Sequence, residues 1–110
     1  MAGPVNPTVL VHSAPTQFID GVNIPAGTIT KYQYGFGTTA GQYTTIKDDV
    51  DLTSDASGKQ TYAVPVLAFG TWFAAARAVT KDGVTSAWGN EVTFTLAAKE
   101  PKPITDFAAA

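Results

Sequence analysis

Apolar and polar residues alternate most regularly near the C-terminal end of the chain, in residues 91–96. Alternation with a period of two is typical of a strand that has one buried face. Asp82-Gly83 precedes this segment, and Asp-Gly between two apolar segments favours a tight turn because both residues tolerate a positive φ. The pattern therefore predicts a hairpin whose first strand lies in residues 70–80 and whose second strand ends at Leu96.

Shorter runs rich in β-branched and aromatic residues occur in the rest of the chain. They lie in residues 8–11, 16–19, 29–36, 43–46 and 60–66. Together with the hairpin they give about seven strands, with turn signals roughly every 8–12 residues. No stretch has the period of an amphipathic helix. The pattern predicts an all-β fold, an antiparallel sandwich of two sheets.

The inward face of the predicted strand at residues 70–80 is unusually small. Alternation turns Trp72 inward, followed by Ala74, Ala76 and Ala78. A core of native packing density then needs bulk from elsewhere. The candidates that could supply it are Tyr32, Tyr34, Phe36, Trp88 and Phe94.

The outward face of the same strand is unusually apolar, because it carries Phe73, Ala75 and Val79. A contiguous apolar face requires cover or marks a contact site. Three alternatives stay open: packing within the domain, a protein interface, or a carbohydrate-binding platform. The platform would draw on the aromatic residues Tyr43, Phe69, Trp72, Phe73 and Trp88.

Composition excludes several classes of protein. The 110 residues suffice for one domain and include no cysteine, so neither disulfides nor thiolate metal sites can form. The net charge of −2 and the pI near 5.0 argue against nucleic-acid binding, which usually needs a basic face. No run approaches the ~18 apolar residues of a membrane span, and the N-terminus lacks the pattern of a signal peptide. We expect neither a nucleic-acid nor a membrane partner.

Two groups of residues could carry chemistry, and each has a simpler explanation. His12-Ser13 sets the single histidine beside a hydroxyl, but a catalytic triad also needs an acid and an oxyanion site, so a solvent-facing histidine is expected. Carboxylates that could ligate calcium are Asp48, Asp49, Asp51 and Asp55. Their spacing does not fit an EF-hand loop, and a solvated acidic loop is expected. We predict a protein that is not an enzyme and has no catalytic residues, cofactor or metal.

The second half of the chain resembles a fibronectin type III domain, a member of the Ig-like β-sandwiches. The residues that carry the likeness are Leu67, Gly70-Thr71-Trp72-Phe73, Arg77-Ala78-Val79, Asp82-Gly83, Ser86-Ala87-Trp88-Gly89-Asn90 and Val92, with Pro25-Ala26-Gly27, Ile29 and Tyr32 before them. The resemblance implies that residues 70–96 form strands F and G of the sandwich. Trp72 stands where the family has a tyrosine that locks the corner before strand F. The family's buried tryptophan of strand B has only Phe18 near its place.

The two ends of the chain suggest arms that hold on to partners. We divide the sequence into an N-terminal arm (1–7), the sandwich (8–96) and a proline-containing C-terminal tail (97–110). Such termini are mobile in a monomer unless something holds them. Because the chain begins with Met1, we expect a small complete gene product that works inside a larger assembly. The expected interaction residues are Pro4, Val5, Pro7, Phe73, Val79, Pro101, Pro103, Ile104 and Phe107.

A sandwich with arms and no active site suits a virion. Small Ig-like and fibronectin-like domains recur in bacteriophage heads and tails, so the resemblance implies a head decoration (cement) protein or a tail accessory domain. Its partners would be major capsid or other virion subunits, or further copies of itself. One alternative is a carbohydrate-binding or adhesion module of a phage tail or a bacterial surface. Another is a spacer domain of a larger extracellular enzyme.

Overall fold

The computed structural model describes residues 3–52 and 58–109. These residues form six strands and no helix: β1 (Val9–Ser13), β2 (Ile29–Gly37), β3 (Thr45–Asp49), β4 (Lys59–Ala63), β5 (Gly70–Thr80) and β6 (Val92–Leu96). β1 and β4 make a two-stranded sheet, and the other four make a sheet in the order β3-β2-β5-β6. All strand pairs are antiparallel. The prediction of an all-β fold with two antiparallel sheets is confirmed.

The seventh predicted strand, residues 16–19, is absent from this described part of the chain. The prediction is wrong because these residues satisfy their backbone within a local loop. The Phe18 N–H donates to the Val22 carbonyl at 2.8 Å, and the Ile24 N–H donates to the Thr16 carbonyl at 2.9 Å. Pro15 and the turn at Gly21, whose φ is 86°, leave the segment too short to join a sheet.

The bounds of β3 and β4 differ from the prediction for identifiable reasons. β3 begins at Thr45 rather than Tyr43, because Gly41 turns the chain with a φ of 76° and Phe36 pairs with Thr45. As a result, Asp48 and Asp49 belong to β3 instead of a following loop. β4 ends at Ala63, and the Val64 N–H makes one further bond to the Thr8 carbonyl before Pro65 interrupts the pairing.

The core lies between the two sheets and consists mainly of aromatic side chains. The face of β2 that carries Tyr32, Tyr34 and Phe36 is buried, as the alternation predicts, and Phe94 of β6 packs against it. From the two-stranded sheet, Tyr62 stacks on Tyr34 with ring centroids 4.1 Å apart. We call this side of the four-stranded sheet the inner face and the opposite side the outer face.

The two tryptophans lie on opposite faces. Trp72 packs against the core, and its indole N–H donates to the Ala68 carbonyl at 2.8 Å. Its predicted inward orientation is therefore confirmed. The expectation that Trp88 fills the core is wrong, because Trp88 lies on the outer face, over Arg77. Residues 84–90 run along β5 before β6 starts, as the bond from the Gly89 N–H to the Ala76 carbonyl shows.

The described residues at the N-terminus run beside β6. The Thr95 N–H donates to the Pro4 carbonyl and the Asn6 N–H donates to the Thr95 carbonyl, at 2.9 and 2.7 Å. The pairing of Val5 with Thr95 is parallel. Gly3 approaches β6 so closely that an added Cβ would meet the Thr93 carbonyl oxygen. The N-terminal segment thus extends the four-stranded sheet and crosses to β1 at Pro7.

Phe36 and Phe69 provide a matched test of this core. Phe36 has 0% exposure and Phe69 has 72%. We expect Phe36→Ala to lower the free energy of unfolding by about 3–5 kcal/mol, because it leaves a cavity among packed rings. Phe69→Ala should change it by about 0.5 kcal/mol or less. Denaturant titration followed by circular dichroism measures both, and equal losses in the two variants would contradict the packing.

Candidate protein-interaction surfaces

The outer face of the four-stranded sheet is covered at its centre by two aromatic rings. Tyr43 and Trp88 contact each other edge to face with ring centroids 4.9 Å apart. They lie over Gly35, where an added Cβ would stand 2.7 Å from the Tyr43 Cβ and 3.0 Å from the Trp88 Cη2. Glycine at this position therefore lets the rings approach the backbone of β2, and the rings exclude water from the sheet.

A row of polar side chains continues from these rings across the outer face. The Arg77 guanidinium lies 4.2 Å from the centre of the Trp88 ring, a cation–π contact. The Arg77 Nε donates to Gln33 Oε1 at 2.8 Å, and Gln33 Nε2 donates to Asp48 at 2.9 Å. Lys31 forms a salt bridge of 3.1 Å with the same carboxylate. The hydrogen bonds from Gln33 and Lys31 lower the pKa of Asp48.

Glu91 lies beside Tyr43, at the opposite end of the row of side chains that covers the outer face. One of its carboxylate oxygens accepts hydrogen bonds from the Tyr43 hydroxyl and from the Gly41 N–H, both at 2.7 Å. Burial, together with the hydrogen bond to Glu91, raises the pKa of Tyr43 to about 12. Glu91 therefore ties the turn before β3 to the start of β6, and it fixes the ring that shields Gly35.

Two expected interaction residues, Phe73 and Val79, lie on the outer face. Val79 is buried with 7% exposure, and Phe73 is half-buried. Ala75 between them is also buried, with 6% exposure. Of the three alternatives for this apolar face, packing within the domain accounts for Ala75 and Val79, while Phe73 keeps part of its ring accessible.

The expected interaction residues at the N-terminus lie where the N-terminal segment follows β6. Val5 remains 63% exposed, because its backbone pairs with Thr95 while its side chain points away. Pro4 contributes its carbonyl to this pairing, and Pro7 is half-buried where the chain crosses to β1. The backbone of this arm is thus engaged within its own chain.

The C-terminal tail, residues 97–109, projects from the domain. Ile104 and Phe107 are 78% and 91% exposed, and Pro101 and Pro103 are exposed as well. The Cα radius of gyration is 18.5 Å and the longest extent 74 Å, whereas a compact domain of this length has a radius near 13 Å. Within the described residues, the last hydrogen bond to the domain is from the Ala97 N–H to the Asn6 side chain. The tail therefore presents two large apolar side chains to solvent.

A groove of about 720 Å³ opens between the two sheets, beside β1. We call it the inner groove. Its floor is the inner face of β5 and β6, including Ala74, Ala76, Ala78 and Phe94. β1 forms one wall, and residues 86–93 form the other. The small alanines, noted in the sequence for their lack of bulk, thus border a space that the two-stranded sheet does not fill.

His12 is half-buried against the core, whereas a solvent-facing histidine was expected. Its ring packs edge to face on Tyr32, with centroids 4.8 Å apart, and its Nε2 lies 2.8 Å from the Tyr34 hydroxyl. Nδ1 lies 3.1 Å from the Ser13 carbonyl. A carbonyl can only accept, so Nδ1 is the donor in that contact, while Nε2 and the Tyr34 hydroxyl share the second hydrogen bond. Burial is the main reason that the pKa of Tyr34 is raised well above its usual value.

The hydroxyl of Ser13 does not point to the His12 ring as a nucleophile would. Its Oγ lies 2.8 Å from Lys59 Nζ, which donates to it. In a Ser-His-Asp arrangement the serine hydroxyl bonds to the imidazole, and an acid orients the other ring nitrogen. Here a backbone carbonyl and a tyrosine occupy both ring nitrogens. His12 and Ser13 therefore connect β1 to Tyr34 of β2 and to Lys59 of β4.

The acidic residues that could have ligated calcium point in different directions. Asp48 bonds to Lys31 and Gln33 on the outer face, and Asp49 accepts from the Asp51 N–H at 3.0 Å. Adjacent residues of a strand face opposite sides of the sheet, which separates the carboxylates of Asp48 and Asp49. Asp55 lies outside the described residues.

No protein-family model, curated protein or solved structure matches the chain. The described ranges contain no helix long and apolar enough to cross a membrane. In the same ranges, no group of three or more His, Cys, Asp or Glu side chains is placed to hold a metal ion. The exposure of the side chains and the position of the groove leave three candidate surfaces: the tail, the inner groove and the accessible part of the outer face.

The contact of Glu91 with Tyr43 predicts a change in tyrosine titration. The folded-state pKa of Tyr43 lies above its unfolded value of about 10, so folding favours the protonated phenol. This contribution to stability is fully present below about pH 10 and is lost as the pH rises through about 12. We expect Glu91→Gln, which keeps an acceptor but removes the charge, to lower the pKa of Tyr43. Tyrosinate absorbance at alkaline pH measures the change.

Two controls complete this titration. Tyr43→Phe identifies the part of the absorbance that belongs to Tyr43. Glu100→Gln removes the same charge from the exposed tail and should leave the titration curve unchanged. A titration curve that is the same for Glu91→Gln and the unsubstituted protein would show that Glu91 does not influence Tyr43 in solution.

Proposed function

We propose that this chain is a non-enzymatic structural protein of a bacteriophage virion, a head decoration or cement protein that binds neighbouring subunits. The observation that carries the proposal is the C-terminal tail. Ile104 and Phe107 are almost fully exposed on a segment that projects from the domain. Burying each of them against a neighbour would stabilise the assembly by about 1.5–3 kcal/mol. Major capsid or other virion subunits are the partners that this arrangement suits.

We further propose that the sandwich is of the fibronectin type III or Ig-like type. The strand order β3-β2-β5-β6 supports this, because it corresponds to strands C′, C, F and G of such a domain. Trp72 supports it as well, since its indole N–H bonds to the Ala68 carbonyl four residues upstream. The corner tyrosine of Ig-like domains also bonds to the backbone a few residues upstream. A rigid sandwich of this type would position the tail and leave it accessible to neighbours.

The proposal extends to location: the protein would be assembled into virions in the host cytoplasm. The carbohydrate-binding alternative, on a phage tail or at a cell surface, has less support. A sugar platform needs accessible rings, but Tyr43 and Trp88 pack on each other and cover Gly35. Phe69 is exposed, yet it lies beside Pro65 and Leu96 at a different edge of the domain. A blank glycan array with the whole protein would count against the alternative.

The tail provides the test of the proposed function. Truncation after Ala97 should leave the melting temperature nearly unchanged, because all six strands precede it. The truncated protein should no longer co-sediment with particles of the phage that encodes it, whereas the full chain should co-sediment stoichiometrically. The double variant Ile104→Ala/Phe107→Ala should bind at least about 100-fold more weakly, from the loss of two apolar anchors.

Thr105→Ala/Asp106→Ala is the matched control, since it alters the two residues between the anchors. This control variant should bind the particles like the unsubstituted chain. Stoichiometric binding of the truncated protein would overturn the proposal that the tail holds the chain on the virion. Absence of binding by the full chain would overturn the proposed location itself.

A further inference from the structure

The inner groove has room for one more strand beside β1. Among the described residues, β1 pairs only with β4, so its second edge is unoccupied. The Val64 N–H bonds to the Thr8 carbonyl, and hydrogen-bonded pairs alternate along antiparallel strands. The backbone groups of Leu10 and His12 therefore face β4, while the amides of Val9 and Val11 point along the unoccupied edge. An unpaired edge of this kind is a template for another strand.

The floor of the inner groove favours an apolar side chain from such a strand. Ala74 and Phe94 are buried, but Ala76 and Ala78 are only half-buried, and Val92 at the groove wall is 40% exposed. The two-stranded sheet covers only part of the four-stranded sheet. Because the alanine side chains on the floor are small, the groove is deep. A large apolar residue on an added strand would fill this space and shield the exposed surface.

The sequence of the C-terminal tail suits a strand at the unoccupied edge of β1. After Pro103 its residues all have backbone N–H groups and can join a ladder. Thr105 and Phe107 would share one face of the strand, with Ile104 and Asp106 on the other. An unpaired Asp106 carboxylate cannot enter an apolar groove without a large desolvation cost, so Phe107 must be the residue that enters.

The tail of a second copy fits better than the tail of the same chain. Ala97 lies beside Asn6, at the end of β6 that adjoins the start of β1. To lie along its own β1, the tail would have to reverse its direction within a few residues. Pro101 and Pro103 instead favour an extended segment of about 3.1 Å per residue, which carries Phe107 away from its own domain. The longest extent of 74 Å agrees with an extended tail.

We propose that the C-terminal tail of one copy inserts as a strand beside β1 of a second copy, with Phe107 in the inner groove. Each copy then has one donor tail and one acceptor groove. Such a head-to-tail interface repeats, and it yields a closed ring or an open filament according to the rotation between copies. This inference stands independently of the virion proposal, because it concerns contacts between copies of this chain alone.

Self-association of the purified full chain tests the inference. Analytical ultracentrifugation from about 10 μM to about 1 mM should show species larger than the monomer. Phe107→Ala should weaken association by about 10- to 100-fold, whereas Ile104→Ala should have little effect because Ile104 faces away from the groove. Because both positions lie outside the sandwich, neither variant can fail by unfolding it. Equal effects of the two variants would contradict the proposed orientation of the strand.

Val11→Pro tests the acceptor edge. Proline removes the amide that points along the unoccupied edge and keeps the bonds to β4. This variant should stay monomeric, while Val11→Thr, which retains the amide, should associate like the unsubstituted chain. Hydrogen exchange should show the Val9 and Val11 amides protected in the associated full chain. Truncation after Ala97 should leave these amides unprotected.

Three results would overturn the inference. The first is a full chain that is monomeric at every concentration. The second is a monomer whose β1 amides are protected until the tail is removed, which would mean that each tail occupies its own groove. The third is undiminished association of the chain truncated after Ala97, which would place the contact on another surface.

Discussion

Tyr34 joins the two sheets, and the rest of the sandwich depends on this contact. Its ring stacks on Tyr62 of β4, and its hydroxyl bonds to His12 of β1. One residue at the centre of the four-stranded sheet thus holds both strands of the smaller sheet. A two-stranded sheet has too little surface to be stable by itself, so it depends on these contacts for its position. Burial raises the pKa of the Tyr34 phenol, so its hydroxyl stays available for the hydrogen bond to His12.

A four-stranded sheet has two faces to cover, and this chain covers them unequally. On the outer face, Tyr43 and Trp88 close over Gly35, and Arg77 adds its planar charged group to the cover. On the inner face, the small sheet covers the tyrosines of β2 and leaves the alanines of β5 beside a groove. Covering the outer face within the chain leaves the inner groove and the tail as the places where apolar surface remains accessible.

The sequence predicted well the strands in which apolar and polar residues alternate, because alternation indicates which side chains face the core. Tyr32, Tyr34 and Phe36 were expected in the core and lie there, and Trp72 faces inward as its position requires. Segments without a distinct period were harder to predict. Residues 16–19 have β-branched and aromatic character, yet their hydrogen bonds close within a loop, and Trp88 covers the outer face instead of filling the core.

The candidate surfaces could be predicted only in part, because they depend on distant pairs. The exposure of Ile104 and Phe107 is consistent with the proline-punctuated tail seen in the sequence. The contact of His12 with Tyr34 joins residues 22 positions apart, and that of Glu91 with Tyr43 joins residues 48 apart. No pattern in the sequence around these residues indicates that either pair forms a contact. The inner groove arises from the width of one sheet relative to the other, which no single segment encodes.

The parallel pairing of the N-terminal segment with β6 has a mechanical consequence. The chain enters this pair at Gly3 and leaves it at Ala97, so a force that pulls the two termini apart acts along both strands in opposite directions. The hydrogen bonds that join Thr95 to Pro4 and Asn6, and Ala97 to the Asn6 side chain, are then loaded together in shear. They do not open one after another, as the bonds of a hairpin do when it is unzipped. Tension therefore meets this short lateral contact before it reaches the aromatic core.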